Sequence, residues 1–147
     1  MRVVFVVIDA LPNHLVSERW TPNLWQMTQS GGWNQNGGRA VLSTATYPNH
    51  ATFATGRPPD SHGIFVNKVW DGDKFTIASS IGPTGDTLFL AAGRSNVSSA
   101  AVVGDHHLIG VMGAGSADSY WPPQGKRADV DLDEFGYASN TAVLEAV

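Results

Sequence analysis

The 147-residue chain contains no cysteine, and this absence excludes several kinds of site. Disulfides, thiolate metal ligands and cysteine nucleophiles are ruled out, so any bound metal must use oxygen or histidine nitrogen donors. Because cysteine-free proteins occur in every compartment, the absence does not indicate where the protein works.

Clustered positive charge and long apolar runs are also missing. Nine Lys and Arg stand against 13 Asp and Glu, and no basic cluster is available to neutralise a run of phosphates. The apolar run at 3–8 is too short for a signal peptide or a membrane span. We therefore expect no nucleic-acid-binding patch and no membrane segment, with the cytoplasm as the default compartment. Composition does not address the oligomeric state.

The length and the apolar content, 42% of positions, predict one domain over residues 1–147 with a substantial core. The β-branched run at 3–8 predicts a strand buried on both faces of a mostly parallel sheet, with Asp9 at its C-terminal end. Further strands are expected over 39–43 and 97–103, and a hairpin is expected over 65–70 and 75–81, around Asp71-Gly72-Asp73.

Helices are expected between these strands. The predicted helices run from Thr21-Pro22 to Gly31, from Pro48 to Gly56, from Thr84 to Gly93, and over 137–147. The polar stretch 116–133 is expected to be a surface excursion. This alternation predicts an α/β sandwich with a parallel sheet. Since the last helix is followed by no strand, we expect the domain to be truncated at its C-terminus.

Thr46 lies at a predicted strand-to-helix turn, where a hydroxyl meets the free N–H groups of a helix start and can face a phosphate or sulfate oxygen. A threonine hydroxyl is a poor nucleophile at neutral pH, so it needs a base or a metal, which Asp9 can help to hold. Taken singly, Thr46 also fits an ordinary cap or turn, and Asp9 fits a residue that caps the following loop.

Several short motifs together resemble one family. Their order matches the type I phosphodiesterase/nucleotide pyrophosphatase family of the alkaline phosphatase superfamily: Val6-Val7-Ile8-Asp9-Ala10, Thr46-Tyr47-Pro48-Asn49-His50, Thr55-Gly56 and His62-Gly63-Ile64. The resemblance extends from about Val3 to Asn67, the N-terminal part of the family domain. It implies an alkaline-phosphatase-like fold and metal-dependent hydrolysis of phosphodiester or nucleotide pyrophosphate bonds in small phosphoester or nucleotide substrates.

The same resemblance implies roles for four residues. Thr46 would be the nucleophile that forms a covalent phosphothreonine, and Asp9 and Thr46 would share one Zn²⁺ of a two-metal site. Asn67 would donate a hydrogen bond to a non-bridging phosphate oxygen. Tyr47 would stack on a nucleobase, although a core aromatic beside a turn is an equally good interpretation.

Histidines elsewhere in the sequence are not assigned to this metal site. The resemblance places His50 and His62 in a structural part of the motifs. Asp105-His106-His107 offers metal-type side chains, but neighbours on an extended chain point to opposite faces, so we expect at most two of the three to converge. The remaining metal ligands of the family come from later in its chain, so weak zinc binding is expected here, and the family activity is expected of the complete protein.

Three other functions stay open from the sequence. Relatives in the superfamily that keep the nucleophile position act on phosphomonoesters or sulfate esters. A domain that lacks the remaining metal ligands would bind phosphate or nucleotides without turnover. An interaction domain would use the Thr46 segment only as a turn. The resemblance also implies that relatives are often exported, whereas this sequence carries no export signal.

Overall fold

The computed structural model of the chain describes residues 2–123 and 129–147. They divide into two compact units, one reaching Ala40 and one spanning Val41–Val147. The helices are α1 (Pro22–Ser30), α2 (Thr46–Thr55), α3 (Pro59–His62), α4 (Leu88–Arg94), α5 (His107–Val111) and α6 (Asn140–Glu145). The strands are β1 (Lys68–Trp70), β2 (Phe75–Ile77), β3 (Ala100–Val102) and β4 (Ser119–Trp121). Short 3₁₀ turns lie at Asn13–Leu15, Ala78–Ser80 and Ala114–Ser116.

In the first unit, helix α1 forms where its end signals predict it. Pro22 occupies the first helical turn, where its missing N–H needs no partner, and the helix ends at Gly31. The Thr21 hydroxyl does not cap the helix. It donates to the Leu15 carbonyl at 3.0 Å and accepts from the Ser17 N–H at 3.1 Å, so it closes the turn that leads into α1.

The predicted buried strand at 3–8 is wrong. Residues 3–8 form no strand, and their side chains are 38–75% exposed. A strand exists only where a neighbouring strand accepts and donates its backbone hydrogen bonds, and none in the described ranges pairs with this run. The strand expected over 39–43 is absent for the same reason.

The second unit contains both sheets. β1 and β2 form the predicted hairpin, which is antiparallel with Lys68 opposite Ile77. Its turn is held by Asp71 Oδ1, which accepts from the backbone N–H groups of Asp73 and Lys74 at 3.0 and 2.9 Å. Both strands are shorter than predicted: the first begins at Lys68 rather than Phe65, and the second ends at Ile77 because a 3₁₀ turn follows.

The other sheet is parallel and pairs β3 with β4. β4 lies inside the stretch 116–133 that the sequence predicts to be a surface excursion, and that prediction is wrong for its three residues. The segment between the strands, which carries α5, is the crossover that parallel pairing requires. The mixture of helices and strands is consistent with an α/β protein, but the described strands form two small sheets rather than one central sheet.

The remaining helices follow their predicted positions with shifted ends. α2 begins at Thr46, ahead of Pro48, and ends at Gly56, whose φ of +66° is a left-handed conformation that glycine adopts without strain. α4 starts after Thr87 rather than Thr84, because the Thr87 hydroxyl accepts from the Leu90 N–H. It also runs through Gly93, the predicted stop. α6 is shorter than the predicted 137–147.

The core of the second unit forms around α2 and α5. Tyr47, Ala51 and Ala54 recur at helical spacing, so one face of α2 is buried, and α2 packs against α3, α4 and α5. Gly110 brings α5 against the turn Ala78–Ser80 so closely that a Cβ atom would clash with the Ser79 carbonyl. The packing of α2 against α3, α4 and α5 positions its first turn, where Thr46 lies. No helix in residues 2–123 or 129–147 has the length and apolarity to cross a membrane.

Candidate functional site

Thr46 is the first residue of α2 and is partly buried. The residue before it, Ala45, has an extended backbone and a methyl side chain that cannot cap a helix. Pro48, in the first turn, has no N–H to offer. The start of α2 therefore takes its side-chain partners from elsewhere in the second unit.

Asn67 supplies one of these partners. Its Oδ1 accepts from the backbone N–H of Tyr47 at 3.1 Å, across a separation of 20 residues in sequence. The Asn67 carbonyl accepts from the Ala78 N–H at 3.0 Å, which ties the residue to the base of the hairpin. Because Oδ1 is the acceptor, the other atom of the amide, Nδ2, is the donor that Asn67 presents beside the first turn of α2. The structure thus brings Asn67 to the residue that follows Thr46.

Asn49 also organises this site, and the sequence reasoning gave it no role. Its Oδ1 accepts from the Val41 N–H at 3.0 Å, and its Nδ2 donates to the Ala45 carbonyl at 2.8 Å. Both bonds hold the chain that leads into Thr46. The available signal was its place in the motif Thr46-Tyr47-Pro48-Asn49-His50, since a helical residue three positions on faces back toward the helix start.

Tyr47 lies in the core with 6% of its surface exposed. Its hydroxyl donates to Asp105 Oδ2 at 2.9 Å, across 58 positions in sequence. Burial, followed by the charge of Asp105, raises the pKa of the Tyr47 phenol, so it stays protonated and donates this bond at physiological pH. The ring therefore packs α2 against the segment that leads into α5.

His50 and His62 have partners within the packing. His50 Nδ1 donates to the Thr46 carbonyl at 2.8 Å, and its ring meets the edge of Phe53. His62 is fully buried, and its Nδ1 accepts from the Ile64 N–H at 3.2 Å. Its Nε2 must then carry the proton and donate to the Thr52 hydroxyl at 3.0 Å. Burial lowers the pKa of His62, which keeps the ring neutral in this arrangement.

Asp9, the predicted metal ligand, belongs to the first unit, whereas Thr46 belongs to the second. Asp9 is exposed in a turn, and its Oδ1 accepts from the Ala10 N–H at 3.0 Å. Ala10 has a φ of +56°, which is uncommon for a residue with a side chain. A zinc ion shared by Asp9 and Thr46 stays a prediction.

The prediction that at most two of the side chains of Asp105, His106 and His107 converge is wrong. One ligand atom from each of the three residues lies within 4.8 Å of the others, rather than two at most. The prediction assumed an extended chain, but His106 has helical backbone angles at the start of α5. Successive side chains therefore do not alternate between opposite faces as they would on an extended chain.

A partly buried threonine at a helix start, with an asparagine amide bonded to the residue that follows it, can accommodate a tetrahedral anion. The chain belongs to the type I phosphodiesterase/nucleotide pyrophosphatase family, whose model matches residues 3–134.

Individual relatives match over shorter stretches. Ectonucleotide pyrophosphatase/phosphodiesterase 1 of Saccharomyces cerevisiae is 34% identical over 76 residues, which cover 48% of this chain and 10% of the yeast protein. Venom phosphodiesterase 2 of Crotalus adamanteus is 47% identical over 45 residues, covering 29% of this chain and 6% of that protein.

Human ectonucleotide pyrophosphatase/phosphodiesterase family member 1 is 40% identical over 50 residues, covering 34% of this chain and 5% of that protein. The matched segments therefore span a tenth or less of these relatives. No solved structure matches the chain at a significant level.

Proposed function

We propose that this chain carries the nucleophile and an oxyanion donor of a metal-dependent hydrolase that cleaves phosphodiester or nucleotide pyrophosphate bonds. Membership of the family supports the reaction class. The substrate would be a small phosphoester or nucleotide, and the parent domain would be an alkaline-phosphatase-like sandwich.

The hydrogen bond from the Tyr47 N–H to Asn67 Oδ1 at 3.1 Å is the observation that carries the proposal. It joins the two segments that contain the nucleophile and the phosphate-oxygen donor. A donor beside an attacking hydroxyl stabilises charge only when it is held in place before the reaction begins, and a cap on the first turn of α2 holds Asn67 in this way.

In this mechanism Thr46 Oγ1 attacks phosphorus in line with the leaving group. The new P–O bond forms as the bond to the leaving oxygen breaks, and the proton that the Thr46 hydroxyl releases balances protonation of the leaving oxygen, so the products are a phosphothreonine and the free leaving group. Water then attacks phosphorus and the bond to Thr46 Oγ1 breaks; the oxygen of the water stays on the phosphate and one of its protons restores the Thr46 hydroxyl. Asn67 Nδ2 donates to a non-bridging oxygen, and the positive end of the α2 dipole favours the anionic group in both steps.

The donor set fits a metal site only in part. Asp9 and Thr46 contribute oxygen atoms of the kind that zinc accepts, but a catalytic zinc uses three protein ligands. A bound metal would lower the pKa of the Thr46 hydroxyl and neutralise phosphate charge. These two residues alone do not complete a zinc site, so further ligands have to come from other residues.

Tyr47 acts in this proposal through position more than through stacking. Its ring is almost fully covered, so it offers little surface to a nucleobase, while its hydroxyl bond to Asp105 orients the first turn of α2. Stacking on a nucleobase stays a prediction. A Tyr47→Leu variant, which removes the ring, tests it by comparing nucleotide with non-nucleotide substrates, and Tyr47→Phe is the control that keeps the ring and loses only the hydroxyl bond to Asp105.

The decisive experiment replaces the nucleophile. We expect Thr46→Ala to reduce hydrolysis of bis-p-nitrophenyl phosphate by the zinc-supplemented full-length protein by roughly 10³-fold or more, because no other group takes over the attack. Thr46→Ser should keep measurable turnover, since it retains a hydroxyl. Thr44→Ala is the matched control, because Thr44 is exposed and lies two positions before Thr46.

The same variants separate the alternatives. Equal activity of Thr46→Ala and the unchanged protein would refute the proposed nucleophile. Faster hydrolysis of mono-p-nitrophenyl phosphate or of a sulfate ester would instead support the other esterases of the superfamily. Saturable nucleotide binding with no turnover at saturating zinc would indicate a binding domain.

Asn67 needs a variant that separates its two roles. Asn67→Asp keeps an acceptor for the Tyr47 N–H but removes the Nδ2 donor and adds a negative charge. We expect the variant to fold and to lose roughly 10²- to 10³-fold in kcat, the usual effect of losing an oxyanion donor. A folded Asn67→Asp protein with unchanged kcat would show that Asn67 only caps the helix. Thermal unfolding of the same samples tests the fold.

A further inference from the structure

Asp105, His106 and His107 form a compact group of metal-type side chains that takes no part in the proposed chemistry, apart from the hydrogen bond by which Asp105 orients Tyr47. All three are partly buried, and one ligand atom from each lies within 4.8 Å of the others. Ligand atoms on one tetrahedral zinc ion are about 3.4 Å apart, so side-chain rotations that move these atoms by about an ångström would suffice to enclose a cation.

The carboxylate of Asp105 is oriented from two sides. Oδ1 accepts from the backbone N–H of His107 at 3.0 Å, and Oδ2 accepts from the Tyr47 hydroxyl at 2.9 Å. Each carboxylate oxygen has a second lone pair, so either can bind a cation while keeping these bonds. Metal-ligating carboxylates are commonly held by such hydrogen bonds.

The imidazoles of His106 and His107 are also close enough to bind the same metal ion. Their ring centroids are 4.0 Å apart with an angle of 37° between the planes, which puts both rings on the same side of the chain. His107 Nδ1 lies 3.2 Å from the Ser79 hydroxyl. A histidine that bonds through one ring nitrogen and binds metal through the other is the usual arrangement, and it leaves His107 Nε2 as the ligand atom.

We propose that Asp105, His106 and His107 bind one divalent transition-metal ion through a carboxylate oxygen and two imidazole nitrogens. This donor set suits Zn²⁺, Co²⁺ or Fe²⁺, and it suits Mg²⁺ and Ca²⁺ poorly, because those ions prefer oxygen alone. Through Asp105 and Tyr47 the ion would link α5 to the first turn of α2. The site is distinct from the predicted ligands Asp9 and Thr46, and it does not depend on the proposed hydrolysis.

Metal titration tests the site directly. The metal-free chain is titrated with Co²⁺, followed by its visible d–d absorption, and then with competing Zn²⁺. We expect one Co²⁺ per chain at this site and at least about tenfold weaker binding in His106→Gln and in His107→Gln. His14→Gln, which alters an exposed histidine of the first unit, should bind as the unchanged chain does.

A second measurement keeps the test independent of folding. In the unchanged chain, Zn²⁺ should shift the imidazole NMR signals of His106 and His107, with those of His14 unaltered. Co²⁺ binding that survives His106→Gln but is lost in Asp9→Asn would place the ion elsewhere and overturn this proposal, while leaving the proposed hydrolysis intact. Failure to bind Co²⁺ or to shift either signal would also overturn it.

Discussion

The two units of this chain differ in what they bury. None of residues 2–40 is buried, whereas the buried residues of the described chain all lie between Tyr47 and Pro122. The first unit does not lack apolar side chains, since residues 3–8 are all apolar and Trp20 and Trp25 follow. Apolar composition therefore does not by itself produce a core, because each side chain also needs covering neighbours.

The difference follows from where helices and strands find hydrogen-bond partners for their backbone N–H and C=O groups. The backbone hydrogen bonds of α2 form within the helix, so only its apolar face, with Tyr47, Ala51 and Ala54, has to be buried by other segments. A strand at 3–8 would need neighbouring strands before either face could be covered. The more apolar segment is consequently the more exposed one.

The largest expected effect compares one aliphatic side chain from each unit. Ile64 is 2% exposed and Val4 is 74% exposed. We expect Ile64→Ala to lower the free energy of unfolding by about 3 to 4 kcal/mol, because it leaves a cavity. Val4→Ala should change it by less than about 0.5 kcal/mol. Urea unfolding measures both, and equal losses would remove the distinction between the units.

Adding a methyl group should give the next largest effect. Gly110→Ala places a Cβ atom against the Ser79 carbonyl, and backbone cannot rotate away as a side chain can. We expect a loss of about 2 to 3 kcal/mol in the free energy of unfolding, despite the better helix propensity of alanine.

Gly32→Ala is the control for Gly110→Ala, since a Cβ at Gly32 has no neighbour within 4 Å. It should be nearly neutral in thermal unfolding. A neutral Gly110→Ala would mean that α5 does not pack tightly on the turn Ala78–Ser80.

The smallest expected effect is a pH dependence that belongs to His62. Burial lowers the pKa of this histidine in the native state, so the unfolded chain takes up a proton at higher pH than the folded chain does. The contribution to stability is complete above the unfolded pKa of about 6.5 and is lost as the pH falls through the lower, folded pKa. Protonating Nδ1 would also break its bond from the Ile64 N–H.

Urea midpoints at pH 7.5 and 5.0 test this dependence. The drop between them should be smaller in His62→Gln than in the unchanged chain, whereas His14→Gln should keep the full drop because His14 is exposed. NMR titration of the His62 ring in the unchanged chain reports the same pKa without a substitution. An ordinary pKa for that ring would contradict the prediction.

The elements predicted best are those whose signals lie within a few residues. Pro22 and Gly31 bound α1, Gly56 ends α2, and Asp71 closes the hairpin, because each acts on backbone atoms within a few residues of it. The strand at 3–8 was predicted wrongly because its burial depends on distant partners that the sequence does not identify.

The candidate site divides in the same way. The motifs around Thr46 predicted the family, and the match over residues 3–134 confirmed it. The roles of Asp9, Thr46, Tyr47 and Asn67 stay predictions. The hydroxyl bond from Tyr47 to Asp105 lay outside the reach of sequence reasoning, because 58 residues separate its partners. Asn49 was within reach, since its bonds join residues eight or fewer positions away.

By itself the sequence determined the family, the position of the candidate nucleophile, and the turns and helix ends, because these depend on motif order and on local backbone preferences. The tertiary structure alone decided which apolar residues are covered, that Asn67 caps the first turn of α2, and that Asp105, His106 and His107 converge. Those features depend on the packing of segments far apart in the chain and on a helical turn where an extended one was expected.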